Sequence, residues 1–211
     1  MNLPTINLAS VKGILIDLDN TIYAYEPCHK AAIKKCHSLF SDISLTEFET
    51  IYRTHRNDVT EKLKPQGACR SRLFAFQAMF EQLNIKNAYS KALKFTDIYW
   101  ETFINEIKID IFIEKFFEKV KAANIPVCII TDMLASTQIK KINKLQITNT
   151  IDFLVTSEEA GTEKPDPKIF KLALAKLKLA ATEVIMIGDS KTKDIEVAEA
   201  LGIKSYLYQA K

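Results

Sequence analysis

The chain has 211 residues, 47% hydrophobic and 26% charged, which provides apolar side chains for a core and charge for solubility. A net charge of +3, from 29 Lys and Arg against 26 Asp and Glu, is too small and too dispersed to mark a nucleic-acid or membrane-surface protein. Disordered, fibrous and low-complexity classes are excluded, and the length suits one domain or one domain with a sizeable insertion.

The first ten residues, MNLPTINLAS, lack the basic and apolar regions of a secretory signal. No window approaches the roughly 18 uninterrupted apolar residues of a membrane span. A short apolar run at 11–17 ends in carboxylates and reads as a buried strand. From about 27 to 105 the apolar residues recur at helical spacing instead. Pro27 can open a helix with the stripe Cys28, Ala32, Cys36 and Phe40, and Ser44 with Glu47 forms a capping box ahead of Leu45, Phe48, Tyr52 and Val59. Two further helices fit 68–83 and 89–105. Strand-like runs then return at 127–131, 151–156, 184–188 and 203–208, alternating with helical stretches at 111–123, 135–146, 167–178 and 192–201. This is the texture of a doubly wound, Rossmann-like α/β core with a parallel sheet, formed by 1–22 and 106–211. Residues 23–105 would be an α-helical bundle inserted as a cap. The four cysteines, Cys28, Cys36, Cys69 and Cys128, contain no C-x-x-C pair and sit in apolar stretches, so a soluble protein of the reduced cytoplasm is expected.

Parallel sheets bind ligands beyond the carboxyl ends of their strands. Here those ends are acidic: Asp17-Leu18-Asp19-Asn20-Thr21, Thr131-Asp132, and Gly188-Asp189-Ser190 with Asp194 one turn later. Asp17 and Asp19 can project to one side of their strand, and Asp189 from a neighbouring strand would add a third carboxylate. Such a cluster repels itself unless a cation lies within it. An all-oxygen set selects a hard ion, with Mg²⁺ as the expected cofactor. Lys164 and the Thr131 hydroxyl would then add a charge and a donor for a phosphoryl group. Any single strand-end Asp can equally be a cap or turn residue.

These motifs, DLDNT at 17–21, Thr131, Lys164 within EKPDP and GDSKTKD at 188–194, resemble in order those of the haloacid dehalogenase-like superfamily, in its members with a helical cap after the first motif. The likeness covers the core and includes VTSEEAGTEKPDPKIF at 155–170. It implies a Mg²⁺-dependent phosphatase acting on a small phosphorylated metabolite, a sugar phosphate or nucleotide monophosphate, with neither a nucleic-acid polymer nor a membrane as partner. Asp17 would be the nucleophile, Asp19 the acid and base, and Lys164 part of the catalytic set. Asp17, the backbone carbonyl of Asp19 and Asp189 would hold the metal, with Asp194 positioning Lys164 or a metal-bound water. Thr131, Asp132 and Lys164 would face the phosphoryl oxygens, Asp132 standing where many relatives carry Asn. A phosphomutase would share every core motif. A 2-haloacid dehalogenase needs no acid two residues after the nucleophile, so Asp19 argues against it. The intact motifs argue against a non-catalytic binding module.

His29, His37 and His55 lack the spacing of a metal site or triad, and Trp100, Tyr99 and Phe103 read as cap core. All four arginines, Arg53, Arg56, Arg70 and Arg72, lie in the insertion, whereas the chain has twenty-five lysines. Because Arg is the better bidentate partner for an anion, one of them could read the substrate, and a solvated charged face is the alternative. Substrate identity and oligomeric state have no motif.

Overall fold

The computed structural model describes residues 6–40 and 42–211. Residues 1–5, half of the N-terminal stretch considered above, and residue 41 lie outside the described residues.

A continuous apolar run suits a strand covered on both faces, and Gly13–Ile16 (β1) is buried at every position. The chain then leaves for four helices, Tyr25–Ser38 (α1), Leu45–Leu63 (α2), Arg72–Gln82 (α3) and Ala88–Glu106 (α4). It resumes alternation with Ile111–Ala122 (α5), Val127–Thr131 (β2), Ala135–Lys144 (α6), Phe153–Thr156 (β3) and the single turn Ser157–Ala160 (α7). Pro167–Leu177 (α8), Val184–Gly188 (β4), Glu196–Ala200 (α9) and Lys204–Leu207 (β5) follow. All strands are parallel, in the order β3-β2-β1-β4-β5. Ile14 sits between Val127 and Ile185, so β1 is the central strand. The winding reverses beside β1, which makes the crevice at the carboxyl ends of β1 and β4 the topological switch point. Leu15, Cys128, Ile130 and Met186 form one core with Ile169, Phe170 and Ala173 of α8. Burying each large apolar side chain is worth about 1.5–3 kcal/mol.

Two compact units result, Met1–Tyr25 with Ile107–Lys211, and Glu26–Glu106. The second is built on aromatic side chains at helical spacing: Phe48, Phe76, Phe80, Tyr99 and Phe103 are fully buried. The Ser44 hydroxyl caps α2 by accepting from Glu47 N, as its sequence suggests, and Ser71 caps α3. Of the four arginines, Arg53 is exposed and Arg56 and Arg70 are half-buried. Arg72 is buried with its guanidinium 5.3 Å from the ring centres of both Tyr99 and Trp100. His29 Nδ1 lies 2.7 Å from the Tyr99 hydroxyl; burial, helped by the Arg72 charge, lowers its pKa to about 4.

Three elements differ from their sequence expectation. The 68–83 helix is a 3-10 turn, Gly67–Arg70, followed by α3, because Ser71 stops one and caps the other. The 151–156 strand starts at Phe153, since the Asp152 carboxylate accepts from Val127 N at 2.8 Å and lies against the start of β2. The 192–201 helix is a π turn, Lys191–Ile195, and then α9. At the return from the insertion, Asp110 N donates to Ile22 O at 2.9 Å. The Asp110 carboxylate caps α5 and accepts from the Tyr208 hydroxyl at 2.6 Å. Among the described residues no helix is long and apolar enough to cross a membrane, and all four cysteines are buried and outside any disulfide.

Candidate active site

Where β1 ends, Asn20 turns the chain with φ at +64°, a conformation Asn tolerates better than most side chains. The turn returns the Thr21 hydroxyl to Asp17, where it donates to Oδ2 at 3.1 Å. Lys164, carried by the segment before α8, is 4% exposed, and its Nζ donates to Asp17 Oδ1 and to Asp194 Oδ1, both at 2.6 Å. Asp194 is brought there by the π turn, and its Oδ2 accepts from Ser190 N at 3.0 Å. Its Cβ and carboxylate lie against Gly188, so closely that a Cβ at position 188 would stand 2.5 Å from Asp194 Cβ.

Asp17, Asp189 and Asp194 form one group: a carboxylate oxygen of each lies within 4.8 Å of the others. Burial raises the Asp17 pKa well above the usual carboxylate range against the pull of Lys164, with Asp194 and Asp189 adding to the rise. Asp189 is pushed up to about 6 by burial and by Asp194. For Lys164 burial acts the other way, but the Asp17, Asp194 and Asp132 carboxylates outweigh it and hold the ammonium charged. Two carboxylates answered by one lysine, with a third beside them, leave an excess of negative charge that a cation would offset.

The Asp19 carboxylate is outside that group and has its own donors. Oδ1 accepts from Lys141 Nζ at 2.6 Å and from the Tyr23 hydroxyl, and Oδ2 from Gln138 Nε2 at 3.1 Å. Burial alone would raise its pKa, but Lys141, Tyr23 and Gln138 together lower it. Thr131 is buried at the end of β2, where its hydroxyl accepts from Gln138 Nε2 at 2.6 Å. Asp132 Oδ1 accepts from Lys164 N at 2.9 Å and its Oδ2 from Lys193 Nζ at 2.8 Å. Its side chain anchors the backbone that carries Lys164.

The sequence reading therefore names residues that the fold brings to one crevice, with Asp17, Lys164, Asp189 and Asp194 in contact or nearly so. It did not name Lys141, Gln138, Tyr23 or Lys193, which surround them. A signal for two of these exists: Gln138, Lys141 and Ile142 share one face of α6, and a lysine among buried positions is unusual.

A Rossmann-like sheet with aspartates and a buried lysine at its switch point defines an α/β enzyme that works through strand-end carboxylates. Residues 14–208 match the family described as haloacid dehalogenase-like hydrolase, and the chain belongs to it. It is 30% identical over 200 residues to a ribulose-1,5-bisphosphate 5-phosphatase of Halopiger xanaduensis, covering 93% of this chain and 84% of that one. It is 28% identical over 198 residues to a glyceraldehyde 3-phosphate phosphatase of Methanocaldococcus jannaschii, covering 92% and 82%. Among solved structures, a 2-haloacid dehalogenase from Pseudomonas syringae superposes with a TM-score of 0.73 at 20% identity, covering 94% of this chain and 86% of the other, a likeness of fold. The chain is thus an enzyme of the phosphoric monoester hydrolase class within this family.

Proposed function

We propose that the enzyme is a Mg²⁺-dependent phosphatase that hydrolyses a small sugar phosphate, with a nucleotide monophosphate as the alternative substrate, through an aspartyl phosphate on Asp17. The observation that carries this reading is the contact of Lys164 with both Asp17 and Asp194 beside Asp189 at the switch point. The substrates named for the two curated relatives, a sugar bisphosphate and a triose phosphate, favour the sugar phosphate.

The donor set suits a hard divalent ion, because the group consists of carboxylates alone. Asp17, Asp189 and Asp194 would hold it, with the Asp19 carbonyl as a further ligand. When bound, Mg²⁺ would supply charge that offsets repulsion between a carboxylate nucleophile and phosphoryl oxygens. An Asp17 oxygen attacks phosphorus and the bond from phosphorus to the ester oxygen breaks, that oxygen taking from Asp19 the proton that the water step of the preceding turnover leaves there. Asp19 then removes a proton from the water that attacks the aspartyl phosphate, which releases inorganic phosphate and restores the Asp17 carboxylate. Lys164 neutralises phosphoryl oxygens and keeps Asp17 oriented, Asp194 and Asp132 hold Lys164, and Thr131 supplies a hydroxyl at the same strand ends. The helical unit Glu26–Glu106, inserted directly after the first motif, is proposed as the segment that selects the alcohol. A cytoplasmic location is proposed on the four buried cysteines, none of them in a disulfide.

The test is a phosphate-release screen over sugar phosphates, nucleotides and small phospho-acids, with and without Mg²⁺. Release confined to Mg²⁺ and fastest on a sugar phosphate is expected. Full turnover in chelator, or none on any compound, would refute the reading.

A further inference from the structure

Lys141 is fully buried, and so is Gln138 one turn before it on α6. A buried ammonium is costly unless an opposite charge answers it, and a leucine would fill the same space without that cost. The charge that meets Lys141 is the carboxylate of Asp19, 2.6 Å away and only half-buried itself. Gln138 Nε2 reaches the other Asp19 oxygen at 3.1 Å, the Thr131 hydroxyl at 2.6 Å and the Asp132 carbonyl at 3.1 Å. Gln138 Oε1 is buried and has no hydrogen-bond partner among the described residues, so the amide is held in place by what its nitrogen does. Residues three apart on a helix share a face, and α6 thus offers two donors from one rigid element to the two oxygens of one carboxylate. A carboxylate fixed at both oxygens keeps one rotamer, as proton transfer to a defined atom requires.

We propose that Lys141, assisted by Gln138, is a positioning residue for Asp19, fixing its carboxylate for the proton transfers at the β1 end. The inference rests on the acid and base role of Asp19 in the phosphatase reading.

The test is a double-mutant cycle between Lys141→Met and Asp19→Asn, assayed on p-nitrophenyl phosphate and glyceraldehyde 3-phosphate with Mg²⁺. Alone, Lys141→Met should lower kcat about tenfold to a hundredfold, the scale on which lost outer partners act. On p-nitrophenyl phosphate KM should fall with kcat, leaving kcat/KM near the wild-type value, and a burst of nitrophenolate should precede slow turnover, since it is the water step that then lacks an oriented base. In the Asp19→Asn background the same substitution should cost nothing further. Equal losses in both backgrounds would mean that Lys141 acts through the fold and would overturn the inference while leaving the phosphatase reading intact. A wild-type protein that releases phosphate from neither compound would overturn both. If circular dichroism shows that Lys141→Met is unfolded, Gln138→Leu takes its place in the same cycle, with a smaller kcat loss that must again vanish beside Asp19→Asn; a loss that persists there overturns the inference.

Discussion

Gly188→Ala adds one methyl group at the last position of β4, and the structure says what that methyl meets. Its Cβ would stand 2.5 Å from the Cβ, Cγ and Oδ2 of Asp194, where carbon atoms normally approach to about 3.5–4 Å. Asp194 has no slack: it is 1% exposed, bonded to Lys164 Nζ at 2.6 Å and to Ser190 N at 3.0 Å. The obstructing atoms include a Cβ, so rotation of the side chain does not relieve the contact and the turn itself must shift by about 1 Å. Overpacking of this kind costs about 1–3 kcal/mol, and each kcal/mol lowers Tm by roughly 2–4 °C in a chain of this size. The same shift draws Asp194 away from Lys164, and a misplacement of about 1 Å at a reacting constellation can cost about a hundredfold in rate. Thermal unfolding followed by circular dichroism, with kcat measured well below the transition, should therefore show a lowered Tm and a kcat reduced by about tenfold or more in the still-folded protein. A Gly188→Ala variant with native Tm and native kcat would refute the packing argument and the dependence of Lys164 on Asp194 together.

Asp17→Asn should abolish turnover while leaving Tm near that of the wild type, since it removes the nucleophile at nearly constant volume; phosphate release at the wild-type rate would contradict the mechanism. Activity should vanish in EDTA, return with Mg²⁺ or Mn²⁺, and fail to return with Ca²⁺, whose six to eight ligands do not enforce an octahedron; a chelator-insensitive rate would count against the metal. Asp110→Ala should destabilise by about 1–3 kcal/mol, because it uncaps α5 and leaves the Tyr208 hydroxyl without its acceptor. Burial alone would raise the Asp110 pKa, but the bonds it accepts from Tyr208 and from backbone N–H groups outweigh this and lower it. The stability it lends is therefore present above the unfolded value near about 3.9 and is lost as pH falls through the folded one. Acid unfolding of wild type and variant should converge at the lowest pH, and curves that stay parallel throughout would refute that assignment.

The sheet was legible because strands covered on both faces must be apolar throughout: 127–131 and 184–188 coincide with β2 and β4. Strand ends with carboxylates, read against the rule that parallel sheets bind at those ends, were enough to gather Asp17, Asp189 and Lys164 in one list. What escaped is what periodicity cannot encode. The π turn at Lys191–Ile195 follows from where the Ser190 carbonyl finds its donors, Asp194 N at 2.9 Å and Ile195 N at 3.3 Å, and no side-chain pattern announces it. Nor does periodicity announce the partners of the Asp132 side chain, Lys164 N and Lys193 Nζ, which come from two other segments. Lys141 was not named, because lysines ordinarily lie on surfaces; the carboxylate that answers its buried charge is 122 positions away in the chain.

The bond from Asp110 N to Ile22 O joins the two points at which the polypeptide leaves the sheet and comes back. The eighty-odd residues between them form a loop whose ends are already closed by the core, and the entropy of closing a loop rises only with the logarithm of its length. Lengthening, shortening or exchanging that excursion therefore asks almost nothing of the strands. The scaffold behaves like a socket with a fixed pair of pins, into which excursions of different length can be plugged while the strand ends stay as they are.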